Sequence, residues 1–209
     1  MSDSEKQNGK RVGVHPLIVV FGVIFALWIF TQAIIPESKK IQPPQGHESQ
    51  SVQTATILEE ARTTDVPTFR MTATVPTMNA ISILVPEQTT DTQVAALVVY
   101  LRDARTDGTL SSILTPTTPN NDLDQFSIAS IFIFSDRQYA VEEAIQILSA
   151  GAHTPGDIYG KEIPYEVAME HVRGHYMVNL NNKTKSEQGT LGFGEVATGL
   201  YSRRYLPIF

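Results

Sequence analysis

Hydrophobic and polar positions alternate in three different ways along this chain, and each way predicts a different kind of element. From Leu17 to Ile35 the sequence runs for 19 residues without a charge, and only Thr31 and Gln32 are clearly polar. As a helix this run would be about 28 Å long, close to the hydrocarbon thickness of a bilayer. Val20, Phe21, Ile24, Phe25, Leu27, Trp28 and Phe30 leave it no polar face, as a span requires and a water-soluble helix does not. A transmembrane helix over 16–36 is therefore expected, with the bilayer as its partner through Leu17–Ile35. A cleaved secretory signal is the competing reading, since Thr31-Gln32-Ala33 loosely matches a small-x-small cleavage site. The run exceeds the apolar length usual in signal peptides and carries bulky aromatics, which favours an uncleaved anchor. Lys6, Lys10 and Arg11 before the span outnumber Lys39 and Lys40 after it. That bias predicts a cytoplasmic N-terminal segment, 1–15, and an extracytoplasmic domain in a periplasmic, extracellular or lumenal space.

The second pattern is polar and aperiodic. Residues 37–67 include "QPPQGHESQSVQ" and read as a linker, because such a stretch buries too little apolar surface to fold alone. Ile57-Leu58 within it is apolar enough to dock on the following domain, which would shorten the tether.

The third pattern fills residues 68–209, a length suited to one domain. Phe69, Met71, Ala73 and Val75 alternate with polar residues and predict a strand with one buried face. Ile81–Val85 is a second strand. It leads into "TTDTQVAALVVYLRDARTDG", where Thr90 and Gln93 have capping-box spacing and Val94, Leu97, Val98 and Leu101 form a helical stripe. The same grammar recurs in "SIASIFIFSDRQYAVEEAIQILSAG": a nearly continuous apolar strand suited to burial on both faces, then Ser135 and Gln138 at capping-box spacing, then a stripe through Val141, Ile145 and Leu148. His175–Leu180 and a glycine-rich segment from Thr190 to Tyr201 complete the expected strands. The fold class is α+β: a small, largely antiparallel sheet with two helices on one face, ferredoxin-like in its simplest form. The insert Thr115–Gln125 has no place in a minimal ferredoxin-like unit and leaves the topology open.

Charge narrows the partners. The whole chain sums to −6, and the first 15 residues carry +1, from Lys6, Lys10 and Arg11 against Asp3 and Glu5, so the remainder stands at −7. An acidic domain is repelled by phosphate backbones, so nucleic acid is not expected as a partner. There is no cysteine, which removes disulfides, thiol catalysis and cysteine-ligated metals together.

Candidate chemistry is sparse. His171 and His175 in "HVRGH" have the spacing at which two imidazoles share a metal. The helical metalloprotease motif needs a Glu where Val172 stands, and Gly174 weakens a helix there. "GFGEVA", Gly192–Ala197, matches a relaxed dinucleotide pattern, but too little chain follows it for the acidic residue that fingerprint requires. No cofactor is expected. Asn182-Lys183-Thr184 is a formal glycosylation sequon, meaningful only in a eukaryotic secretory setting. Tyr201, Arg203, Arg204, Tyr205, Leu206, Ile208 and Phe209 concentrate aromatics, arginine and apolar residues at the end of the chain, the types enriched in interfaces. Such an end docks, either on the domain's own sheet or on a partner. The resulting expectation is a single-pass accessory subunit whose extracytoplasmic domain binds a larger membrane protein complex; the rival is a membrane-tethered enzyme using His171 and His175.

Overall fold

Ser130–Phe134 (β3) has no room for a polar face: Ile131, Phe132, Ile133 and Phe134 are all buried. Side chains alternate across a strand, so β3 needs cover on both sides. The computed structural model describes residues 47–117, 124–152, 163–182, 184–195 and 198–209, and in it that cover is present. Ile131 and Ile133 pack in one cluster with Val94, Leu97, Val98 and Leu101 of helix α2 (Asp91–Thr106). Phe132 and Phe134 pack in another with Ala144, Ile145 and Leu148 of α4 (Glu142–Ala150) and Ala168 and Met169 of α5 (Tyr165–His171). The expectation of both helices on one face is thereby corrected. A strand apolar at every position requires a helix on each side of the sheet.

The sheet has six strands in the order β1 (Arg70–Val75), β2 (Ala80–Leu84), β3, β4 (Val172–Val178), β5 (Glu187–Leu191) and β8 (Leu206–Pro207). Neighbours are antiparallel except β2 and β3, which are parallel and joined through α2 and the single turn α3 (Leu110–Ile113). The fold class is α+β with a mixed sheet. A separate hairpin pairs β6 (Gly194–Glu195) with β7 (Leu200–Tyr201). β1 departs from its expected single buried face, because its register shifts between Met71 and Ala73. As a result Phe69 and Met71 pack on the α2 side, and Ala73 and Val75 on the α4 side.

Within the expected linker 37–67 a helix docks on the domain at Ile57-Leu58, the shortening that its sequence allowed. His47–Thr63 forms helix α1, and Ile57, Leu58 and Ala61 lie against the α2-side core. The Thr54 hydroxyl donates to the Pro207 carbonyl at 3.0 Å, tying α1 to the last strand. Two or three apolar side chains one turn apart suffice to dock a helix whose remaining composition is polar. The Leu17–Ile35 run lies outside the described residues, as do the segment 1–15 and its expected sidedness. Among the described residues no helix is long and apolar enough to cross a membrane.

Candidate functional site

β2 and β3 run in the same direction, but the chain leaving β2 climbs to α2 on one face and the chain leaving β3 climbs to α4 on the other. Where adjacent parallel strands send their connections to opposite faces, the connections part and leave a crevice beyond the strands' carboxyl ends. Here that crevice measures about 670 Å³. Glu87 enters it from the end of β2, and Ser135, Asp136 and Arg137 from the end of β3. β4 starts at the same end because it runs antiparallel to β3, so Glu170, His171 and Arg173 form the next wall. Arg204 closes the rim.

Arg173 ties the two strand exits together. One terminal nitrogen donates to the Thr89 carbonyl at 2.8 Å and to the Asp91 carboxylate at 2.8 Å, both on the β2 exit. The other donates to the Ser135 hydroxyl at 3.2 Å on the β3 exit. The Asp91 carboxylate is more than half exposed, so the pair's value lies in geometry more than in Coulomb energy. The guanidinium itself is covered, with 11% of the side chain exposed, and its Nε is a buried donor with no partner among the described residues. Arg204 is seated from the other side. The Gly192 amide donates to the Arg173 carbonyl at 2.9 Å, and Gly192 has φ +64, where any Cβ would stand 2.9 Å from the Arg204 carbonyl carbon. Residues 192–195 of "GFGEVA" thus lie in a tight turn beside the crevice, and Gly192 is needed for close backbone approach.

The two histidines are placed in different settings. His171 ends α5, lines the crevice, and stacks on Tyr139 with ring centroids 3.6 Å apart. His175 lies within β4 and is buried, stacked on Phe132 at 4.5 Å and edge-on to Phe193 at 5.1 Å. Its Nε2 shares a 2.7 Å hydrogen bond with the Ser130 hydroxyl. Burial holds its pKa down to about 3, so the ring is neutral at physiological pH. The spacing of four spans the junction of a helix and a strand, so neither the helical nor the strand rule for sharing a face governs the pair. Among the described residues no group of three His, Asp or Glu side chains is arranged to hold a metal ion.

The tail docks on the domain's own sheet. Leu206 and Ile208 are buried, β8 pairs with β5, and the Gly189 carbonyl accepts from the Ile208 amide at 2.7 Å. The Phe209 ring lies over Gly189, edge-on to Tyr176 at 6.2 Å and beneath the Arg102 guanidinium at 4.4 Å. Leu206, Ile208 and Phe209 are therefore committed to the fold. Arg203 and Arg204 remain exposed, and Tyr201 and Tyr205 are half-buried against each other with centroids 4.5 Å apart.

Two further polar networks, one buried and one partly buried, serve structure. Arg105, almost fully buried at the end of α2, donates from Nε to the Tyr176 hydroxyl at 2.7 Å and from a terminal nitrogen to the Ile128 carbonyl. The Tyr176 hydroxyl in turn donates to Glu187 at 3.1 Å. A buried guanidinium needs these acceptors, and by engaging them it ties α2 to the entry of β3 and to β4. The Glu195 carboxylate accepts from the Thr198 hydroxyl at 2.6 Å, the Ala152 amide at 3.3 Å and the Tyr165 hydroxyl at 3.4 Å. Burial, reinforced by that carboxylate, pushes the Tyr165 pKa up and keeps its proton in place.

Sequence reasoning did not find the crevice. Asp91 and Arg173 are 82 positions apart, and Glu87, Arg137, Glu170 and Arg204 share no local motif. The available signal was the parallel pair β2 and β3 with a helix on each face. Comparison of the chain with protein-family models, with curated proteins and with solved structures returned no match.

Proposed function

We propose that the chain is a single-pass, membrane-anchored accessory subunit whose extracytoplasmic domain binds a larger membrane protein complex. The observation that carries this reading is the uncharged Leu17–Ile35 run, followed within a few tens of residues by a folded α+β domain. The docked tail sharpens the choice of contact surface. With Leu206, Ile208 and Phe209 committed to the sheet, the exposed Arg203 and Arg204 beside Tyr201 and Tyr205 are the interface-type side chains left for a partner. On the fold, alternation of strands with two main helices supports a ferredoxin-like relation, and cover on the second face departs from it.

The rival reading, a metal-dependent tethered enzyme, draws little support from the histidines. His175 is buried, stacked and hydrogen-bonded to Ser130, and a metal there would have to displace those contacts.

The test is purification of the full chain in mild detergent after crosslinking in its native membrane. A stoichiometric membrane protein partner is expected, retained after an alkaline carbonate wash and lost on replacing Arg203 and Tyr201 together. Recovery of a free, soluble domain starting near Ile34 would sink the anchored reading.

A further inference from the structure

We propose that Asn182 is a glycan acceptor, whose carboxamide nitrogen takes a single N-linked oligosaccharide in a eukaryotic secretory membrane. The inference rests on the reading that the domain lies outside the cytoplasm, and it adds a modification which that reading does not supply. Asn182-Lys183-Thr184 is the only Asn-x-Ser/Thr triplet among the 209 residues. Such a triplet becomes a site where the folded chain exposes it and leaves the amide nitrogen accessible.

The structure meets both conditions. β4 ends at Val178 and β5 begins at Glu187, and the connection between them carries Asn182 and Thr184, both exposed. Main-chain bonds and Lys185 hold the turn. The Asn179 carbonyl accepts from the Asn182 amide at 3.2 Å, the Asn182 carbonyl accepts from the Lys185 amide at 2.9 Å, and the Lys185 ammonium donates to the Leu180 carbonyl at 2.7 Å. The Asn182 Oδ1 accepts twice from Thr184, from its backbone amide at 3.0 Å and from its hydroxyl at 2.9 Å. Two donors on the oxygen orient the carboxamide and turn its nitrogen the other way. Among the described residues that nitrogen makes one hydrogen bond, to the exposed Ser186 hydroxyl at 3.3 Å. In the transfer, Nδ2 attacks the anomeric carbon of a lipid pyrophosphate-linked oligosaccharide. The N–C bond forms, the C–O bond to the pyrophosphate breaks and the lipid pyrophosphate leaves with that electron pair, while the proton on nitrogen passes to a base of the transferring enzyme. The register of β4 with β5 sets this connection at the opposite end of the sheet from Gly174 and Leu191, the end at which Arg204 and the crevice lie. A bulky, hydrophilic chain on Asn182 therefore leaves the crevice and the Arg203 surface uncovered.

The experiment is translation of the full chain with endoplasmic-reticulum microsomes, read as gel mobility before and after an endoglycosidase specific for N-glycans. A retardation of one glycan, reversed by the endoglycosidase, is expected for the unaltered chain. N182Q and T184A should each abolish it, and T184S, which keeps the hydroxyl, should retain it. R62N/N182Q moves the motif to the exposed end of α1, where Thr64 already stands two positions on, and separates the two inferences. Glycosylation of R62N/N182Q with none on the unaltered chain would overturn the proposal and leave the extracytoplasmic reading standing, as would a retardation of the unaltered chain that survives N182Q. Absence of glycan from both chains would overturn the proposal and the sidedness together.

Discussion

The chain leaves β2 and β3 side by side and in the same direction, through two stretches of similar sequence, "TTDTQ" and "SDRQ". After β2, the Thr90 hydroxyl accepts from the Gln93 amide at 3.2 Å and the Gln93 side chain accepts from the Thr90 amide at 3.0 Å, so α2 starts at once and runs for 16 residues. After β3, the Asp136 carboxylate takes the Gln138 amide at 2.9 Å, and the Ser135 hydroxyl accepts from Arg173 instead. The helix then waits until Glu142, behind a Val141 cap with no side-chain hydrogen bond, and lasts 9 residues. The difference shows what a capping pattern needs beyond spacing. The hydroxyl must be free and no nearer carboxylate may compete for the backbone amides. Where both conditions hold, the exit becomes helix. Where they fail, Ser135, Asp136 and Arg137 stay in an open turn on the crevice wall.

The β3 unit thus relies on β4 for support that the β2 unit draws from its own helix, and four measurements test that contrast. The largest effect should come from acid. His175, which covers Phe132, has its folded pKa lowered by burial to about 3, below the ordinary value of 6.5. Its contribution is whole above about pH 6.5. Below that the unfolded chain binds a proton that the folded chain refuses, so stability falls with pH by up to about 1.4 kcal/mol per unit until the folded ring titrates. The contacts on its ring come from Ser130, Phe132 and Phe193, none of them charged. Chemical unfolding followed from pH 7 to 4 should show a shallower slope for His175→Phe than for the unaltered chain; parallel slopes would refute the assignment.

Next in size is Arg173→Met, which unties both exits and leaves the Ser135 and Asp91 groups without their donor. A loss of about 2 to 3 kcal/mol is expected from the same unfolding measurement, with Arg173→Lys recovering part of it. Thr90→Ala follows, at about 1 kcal/mol for a lost capping box. Smallest is Ser135→Ala, at about 0.5 kcal/mol, since this hydroxyl caps nothing and only accepts from Arg173. Equal costs for Thr90→Ala and Ser135→Ala would erase the distinction between the two exits.

What could be read from the chain divides along the same line. The α2 stripe, its capping box and the apolar run of β3 are local patterns, and all three appear in the structure. The second capping box is also a local pattern, and it fails because Arg173, 38 residues away, claims its hydroxyl. Continuous apolarity in β3 already called for cover on both faces, and following that through would have put α2 and α4 on opposite sides and pointed to the crevice between their connections. The side chains that line the crevice were beyond such reasoning, because the wall from α5 and β4 and the rim from Arg204 meet the strand exits only through long-range pairing. The docking of α1 rests on three modest residues in a polar segment, too weak a stripe to assign from periodicity alone.

That helix also decides how the domain would bear a pull. Tension applied from the N-terminal side reaches α1 first and is met by the contacts of Ile57, Leu58 and Ala61 and by the Thr54 to Pro207 hydrogen bond, ahead of any strand ladder. Its 17 residues span about 25 Å as helix and about 60 Å when drawn out, so α1 acts as a mechanical fuse with a few tens of ångströms of slack. In single-molecule stretching it should yield as a separate, low-force step before the sheet gives way, and a single all-or-none rupture would show that the fuse is absent. A domain held this way tolerates displacement of whatever holds its N-terminal side while the sheet and its crevice keep their shape.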